Sequence, residues 1–239
     1  MDISEVNEVG KIPLTLKQFD SVYWLGRYSE RVLTTLRIFM DVYDFNIDGD
    51  FDYKDYCKKL DIYDGFESLK DFCRRYPFDT GYASSIICSM TRAYDNAVML
   101  REVIGTDALS YIELALNQLK DAQYSRAPAL LFQKTIDYIM AFKGCVSDTI
   151  IDRNVRNIIV SGNGIERLDM YLRLDLNQDK ILFECRRLAQ ALVHTDIRCP
   201  TLQLQTICGQ LCQEESVQDN ADKMILLQLI DSLFCITEY

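Results

Sequence analysis

The sequence predicts an all-α fold, a multi-helix bundle, and three observations lead there. Apolar residues recur near the helical period, as at Val22, Leu25, Val32, Leu36, Phe39 and Tyr43. Only 10 Gly and 4 Pro punctuate 239 residues, too few for a sheet-rich fold with many tight turns. No segment shows the strict alternation of a half-buried strand.

The elements follow in order. Pro13 marks a short lead-in, and the first helix runs from about Leu16 to Tyr43, with Asp20 or Ser21 as candidate cap unless the pattern begins a turn earlier. An acidic stretch from Asp44 to Asp55 breaks at Gly49. Tyr53 to Leu60 and Phe66 to Tyr76 read as short helices, and Pro77 ends the second. Thr80 to Ser85 supplies turn and cap chemistry for a helix reaching about Ile104, where Gly105 stops it. Asp107 to Lys120 is the next. Pro128 fits the first turn of a helix that runs to Phe142, before Gly144. Asp148 to Leu176, Gln178 to His194, Leu202 to Cys212 and Ala221 to Cys235 complete the set. Nothing resembles a linker, so a single domain over residues 1–239 is expected.

A formal charge of −10 disfavours a nucleic-acid or anionic-membrane surface, which needs a clustered basic face. No apolar run is long enough to span a bilayer. The nine cysteines lack paired spacing, and Met1 to Gly10 lacks a signal-peptide pattern. A reduced, soluble, cytoplasmic protein is expected.

One pattern occurs twice. Gly26, Glu30, Arg31, Leu36 and Arg37 are matched at the same spacings by Gly162, Glu166, Arg167, Leu172 and Arg173. On a helix, Glu30 and Arg37 share a face two turns apart, as do Glu166 and Arg173. Both copies lie in apolar helical patterns, where a Glu-Arg pair is costly unless partnered. The duplication points to two facing helices, or to one site built from two half-motifs. Gly162 and Gly164 each weaken their helix by about 1 kcal/mol relative to Ala, a cost justified by close approach of another helix or by a kink.

Several stretches carry a family resemblance. Tyr23-Trp24-Leu25-Gly26-Arg27-Tyr28-Ser29-Glu30-Arg31 resembles the opening motif of the Alpha-E family, a bacterial helical family named for its Glu-Arg signature. Ser84-Ser85-Ile86 with Arg92-Ala93-Tyr94-Asp95-Asn96-Ala97 resembles its Ser-Ser-Ile helix, and Gly162 to Asp169 with Arg173 its second Glu-Arg motif. Asn163 stands where the family usually has Arg, and Gly164 replaces a larger residue. The resemblance covers residues 20–195. It implies a helical protein encoded beside, or fused to, ATP-grasp-type ligases and transglutaminase-like proteins.

The candidate substrate-binding residues are Arg27, Glu30, Arg31, Arg37, Arg92, Asn96, Glu166, Arg167 and Arg173, converging in the core. Guanidinium forks suit a peptide carboxylate, an acidic small molecule or an acyl phosphate. The same residues also suit a structural clasp that fixes helix register. No nucleophile and base stand out, and Ser84 and Ser85 suit capping. A calcium loop is outlined by Asp44, Asn46, Asp48, Asp50, Asp52 and Asp55, although Asp55 replaces the bidentate Glu and no second hand follows. Cys208 and Cys212, with Cys199 and His194 nearby, lack the paired spacing of a zinc site. No metal is favoured.

Two functional classes follow. One is an accessory or substrate-presenting subunit of an ATP-dependent, amide-bond-forming system, working with an ATP-grasp-type ligase or a transglutaminase-like protein. With no Gly-x4-Gly-Lys-Ser/Thr loop in the chain, ATP and Mg would be held by the partner. The other is an enzyme in its own right, a ligase or transferase component with Glu30 or Glu166 as base, although a neighbouring Arg opposes that role.

Overall fold

The computed structural model describes residues 13–45, 51–63, 65–176, 178–193, 195, 201–211 and 220–234. Among them are ten α-helices: α1 (Leu16–Phe45), α2 (Tyr53–Lys59), α3 (Leu69–Arg75), α4 (Ile86–Met99), α5 (Arg101–Ala122), α6 (Pro128–Asp148), α7 (Arg153–Arg173), α8 (Gln178–Val193), α9 (Thr201–Leu211) and α10 (Asn220–Asp231). The described residues contain no strand. The all-α multi-helix bundle stands. No helix among them is long and apolar enough to cross a membrane.

Helix starts follow local chemistry. Thr15 caps α1 in a reciprocal box with Gln18, the backbone N–H of each donating to the other's side chain at 3.0 and 3.2 Å. The cap therefore lies a turn before Asp20 and Ser21. Ser85 caps α4 and Asp152 caps α7, each accepting backbone N–H groups of the first turn. The helix expected to reach Ile104 turns instead at Leu100, and Gly105 sits inside α5 with a left-handed φ of 81°. Helix α6 continues through Gly144 to Asp148, a turn and a half beyond Phe142. That extension matters below, because it carries Lys143.

Helix α1 is the central element. It packs against α7 on one side and α4 on another, while α5 and α6 pair alongside and α8 and α10 cover α7. An aromatic cluster of Phe39, Tyr56, Phe72 and Tyr76 fastens α1 to α2 and α3. Cys185 on α8 is paired with Cys208 on α9 as a disulfide, with Cα atoms 6.4 Å apart. This corrects the expectation of thiols throughout, and it gives Cys208 a partner other than Cys212. Cys73, Cys88 and Cys145 are free thiols.

Candidate functional site

The site forms where α1 and α7 cross. Gly26 lies against the backbone of Ile159, and Gly162 against the backbone of Tyr23. A Cβ on either glycine would come closer than 3.0 Å to the opposing carbonyl oxygen. Beyond this contact, Glu30 and Arg31 meet Arg167 and Glu166. The two helices therefore run in the same sense through the crossing, related by an approximate two-fold axis that exchanges the motif copies.

The ion pairs are exchanged between the copies. Glu30, fully buried, accepts Nε and Nη2 of Arg167 at 2.8 and 2.7 Å, a bidentate fork. Glu166, also fully buried, accepts Nε of Arg27 at 2.7 Å and Nε of Arg31. Glu30 takes a second cation, Lys143 of α6, together with the Thr34 hydroxyl at 3.2 Å. Lys143 fills the role that Arg27 plays for Glu166, because Asn163 occupies the position matching Arg27 and carries no charge. Outside this pairing, Arg167 reaches Glu184 of α8 at 2.5 Å, and Arg27 reaches Asp231 of α10 at 2.9 Å. Glu184 also takes Arg187 of α8 at 3.2 Å, so five cations are paired with four carboxylates around the crossing.

This arrangement decides the protonation states. Burial alone would raise the Glu30 carboxyl, but the hydrogen bonds and charges of Arg167 and Lys143 overcome it and hold the pKa at about 2. Glu166 is likewise lowered: burial opposes ionisation, and the Arg31 and Arg27 charges outweigh it. Lys143 moves down, chiefly by burial, which its contact with Glu30 only partly offsets. Both glutamates are therefore ionised at neutral pH and are poor general bases.

A depressed carboxyl contributes stability above its unfolded value and loses it as pH falls through its folded value. Glu30 falls from 4.5 to about 2 in the folded chain, so its contribution fades across that window. The loss expected from Glu30 is about 3 kcal/mol, and Glu166 adds to it in the same direction. Urea unfolding from pH 7 down to pH 2 measures it; a flat stability profile would sink the assignment.

Set beside known proteins, residues 17–198 match the Alpha-E family, described as a predicted alpha-helical domain with a conserved ER motif. The chain belongs to the Alpha-E family. Comparison with curated proteins and with solved structures gives no match. The match ends before α9, so Asp231, which completes the ion network from α10, stands outside the Alpha-E segment.

Two cavities flank the crossing, each lined from both Alpha-E motifs. The larger, about 600 Å³, takes Trp24, Arg27 and Arg31 from α1 and Glu166, Asp169 and Arg173 from α7. The smaller, about 410 Å³, takes Leu33 and Arg37 from α1 and Val160, Asn163 and Arg167 from α7, with Lys143 beside them. The two-fold relation exchanges these sets. Arg31 and Arg167 consequently open on different cavities, so the motifs exchange ion-pair partners across the crossing but do not share one pocket.

The sequence candidates divide accordingly. Arg27, Glu30, Arg31, Glu166 and Arg167 converge as expected. Arg37 does not pair with Glu30; its Nη2 lies 3.6 Å from the Met140 sulfur. Arg173 pairs with Asp169 rather than Glu166, at 2.9 Å. Arg92 and Asn96 do not join the core cluster. Arg92 is exposed on α4, donates to the Ala83 carbonyl at 2.9 Å and lies over the Tyr28 ring. Of the calcium candidates, Asn46, Asp48 and Asp50 fall outside the described residues, as does the Asp44 side chain. Asp52 caps α2 and Asp55 pairs with Lys59, so both are otherwise engaged. No group of three or more metal-ligating side chains occurs among the described residues. His194, Cys199 and Cys212 lie outside them.

Four residues escaped the sequence reading: Lys143, Glu184, Asp231 and Asp169. Asp169 had a signal, an acidic residue inside an apolar helix where the first copy of the motif has Leu33.

Proposed function

We propose that this Alpha-E chain is an accessory or substrate-presenting subunit of an ATP-dependent, amide-bond-forming, peptide-modifying system in the cytoplasm, working with an ATP-grasp-type ligase. The observation that carries the reading is the state of Arg31. Its Nε is committed to Glu166, while among the described residues its Nη nitrogens donate to no acceptor, and the side chain faces the larger cavity. A free guanidinium edge in a cavity also lined by Trp24 suits the carboxylate of a peptide or an acidic small molecule. The glutamates are locked as ion-pair partners, which leaves activation chemistry, ATP and Mg to the ligase.

A second reading, an enzyme in its own right that binds a carboxylate or acyl phosphate, draws support from Asp169. Burial raises its carboxyl, and it lines the same cavity, so it is a better base than either motif glutamate.

The test uses Arg31→Lys, which keeps a charge beside Glu166 and removes the free fork. With the ATP-grasp-type ligase encoded nearest to the chain, wild type should support ATP-dependent modification and the folded variant should raise the KM for the peptide about tenfold or more. An unchanged KM would place the working surface elsewhere. ATP turnover by the chain alone would favour the enzyme reading.

A further inference from the structure

The two-fold relation at the crossing separates what the fold needs from what has been added to it. Both copies keep the glycine, the buried glutamate and the paired arginine. They differ at four pairs of positions that line the cavities: Trp24 against Val160, Arg27 against Asn163, Thr35 against Tyr171, and Leu33 against Asp169. The Leu33 side chain shows that the framework accepts an apolar group at this position, so no packing rule demands a carboxylate at Asp169.

Asp169 is nevertheless 5% exposed, and only one of its oxygens is engaged. Oδ2 accepts Nε of Arg173, whereas Oδ1 is buried with no hydrogen-bond partner. A buried acceptor without a donor carries a desolvation penalty that a ligand's donor would relieve. Arg31, with its unused Nη donors, lines the same cavity, near enough for the Asp169 charge to act on it. A carboxylate with an unfilled valence and a guanidinium with an unused edge thus share one cavity wall.

The charge balance of the walls sharpens the choice of ligand. Asp20, Glu166, Asp169 and Asp231 face Arg27, Arg31 and Arg173, four carboxylates against three guanidiniums. A phosphate or a dicarboxylate would meet a wall already short of positive charge. A ligand bearing both signs would complete both spare groups.

We propose that the larger cavity binds a free α-amino acid, with its carboxylate on the Nη edge of Arg31 and its ammonium on Oδ1 of Asp169. The proposal rests on the reading above that this cavity holds a carboxylate, and it adds a cationic group as the second requirement. Trp24 lines the same cavity and offers an aromatic surface to the ligand's side chain. Arg173 holds Asp169 in place through Oδ2, leaving Oδ1 for the ligand. Burial also raises the Asp169 carboxyl, and an ammonium bound beside it would draw it down again.

The experiment is ligand-observed NMR followed by calorimetry on the full chain, using the twenty protein amino acids and their N-acetyl derivatives. N-acetylation keeps the carboxylate and removes the ammonium. At least one free amino acid is expected to bind about tenfold or more tighter than its N-acetyl form. Asp169→Asn should bring the free amino acid down to the N-acetyl level, and Arg31→Lys should weaken both forms. Equal binding of free and acetylated forms by wild type overturns the proposal and leaves the carboxylate reading standing. Binding of either form that ignores Arg31→Lys overturns both. No binding of any free amino acid overturns the proposal, while the ligase assay still decides the broader reading. The wild-type comparison stands even if Asp169→Asn fails to fold.

Discussion

Glu30→Ala and Glu166→Ala should each destabilise the chain by about 3–5 kcal/mol, because each removes the buried carboxylate shared by one buried arginine and one partly buried cation. Glu30→Ala leaves Lys143 unpaired and Arg167 with Glu184 alone; Glu166→Ala leaves Arg31 unpaired and Arg27 with Asp231 alone. The exchanged pairing adds a sharper test by double-mutant cycle. Glu30 and Arg167 should couple strongly, whereas Glu30 and Arg37 should act independently, since Arg37 meets Met140 instead. Urea unfolding of the singles and doubles supplies both numbers. Additive loss for Glu30 with Arg167 would show that the clasp does not hold the fold.

The second large effect is steric. Gly26→Ala and Gly162→Ala would each drive a Cβ onto a backbone carbonyl of the opposing helix, and backbone gives way less readily than a side-chain tip. Alanine gains about 1 kcal/mol in helix propensity. Overpacking costs about 1–3 kcal/mol, and more where two backbones must separate and pull the Glu-Arg forks apart with them. We expect a net loss of about 3 kcal/mol at either position. Gly144→Ala is the control: nothing lies within 4 Å of its added Cβ, so it should gain about 0.5–1 kcal/mol. Thermal unfolding of the three variants separates the cases. A stabilised Gly162→Ala would mean that α1 and α7 do not touch there.

Much of the helical order was legible because it rests on local chemistry. Periodicity placed α1 and α7, and the low propensity of Gly162 pointed to either a close helix or a kink, of which the structure shows the close helix. What the sequence could not convey is who pairs with whom. The spacing of Glu30 and Arg37 suggested one face of one helix, but a fully buried carboxylate is served better by the opposing helix, where Arg167 brings two parallel donors. Lys143 was hidden by a helix read as ending at Phe142, because Gly144 looked like a stop and is only an exposed helical residue. Glu184 and Asp231 sit on helices whose approach to α7 is a tertiary fact. Arg92 and Asn96 were drawn into the cluster by their residue types, while α4 turns Arg92 outward to Tyr28.

The exchange of partners between the motifs also governs how the chain is made. Arg27 and Glu166 are 139 residues apart, and Glu30 and Arg167 are 137. During synthesis α1 leaves the ribosome with Glu30, Arg27 and Arg31 facing a surface that does not yet exist. Their counterparts arrive only after α2 to α6 have been translated, and closing so long a loop is slow and entropically costly. The N-terminal half of the chain therefore waits, with its future core face in water, for the half that completes it. Any nascent fragment ending before α7 is a natural client for chaperones and proteases.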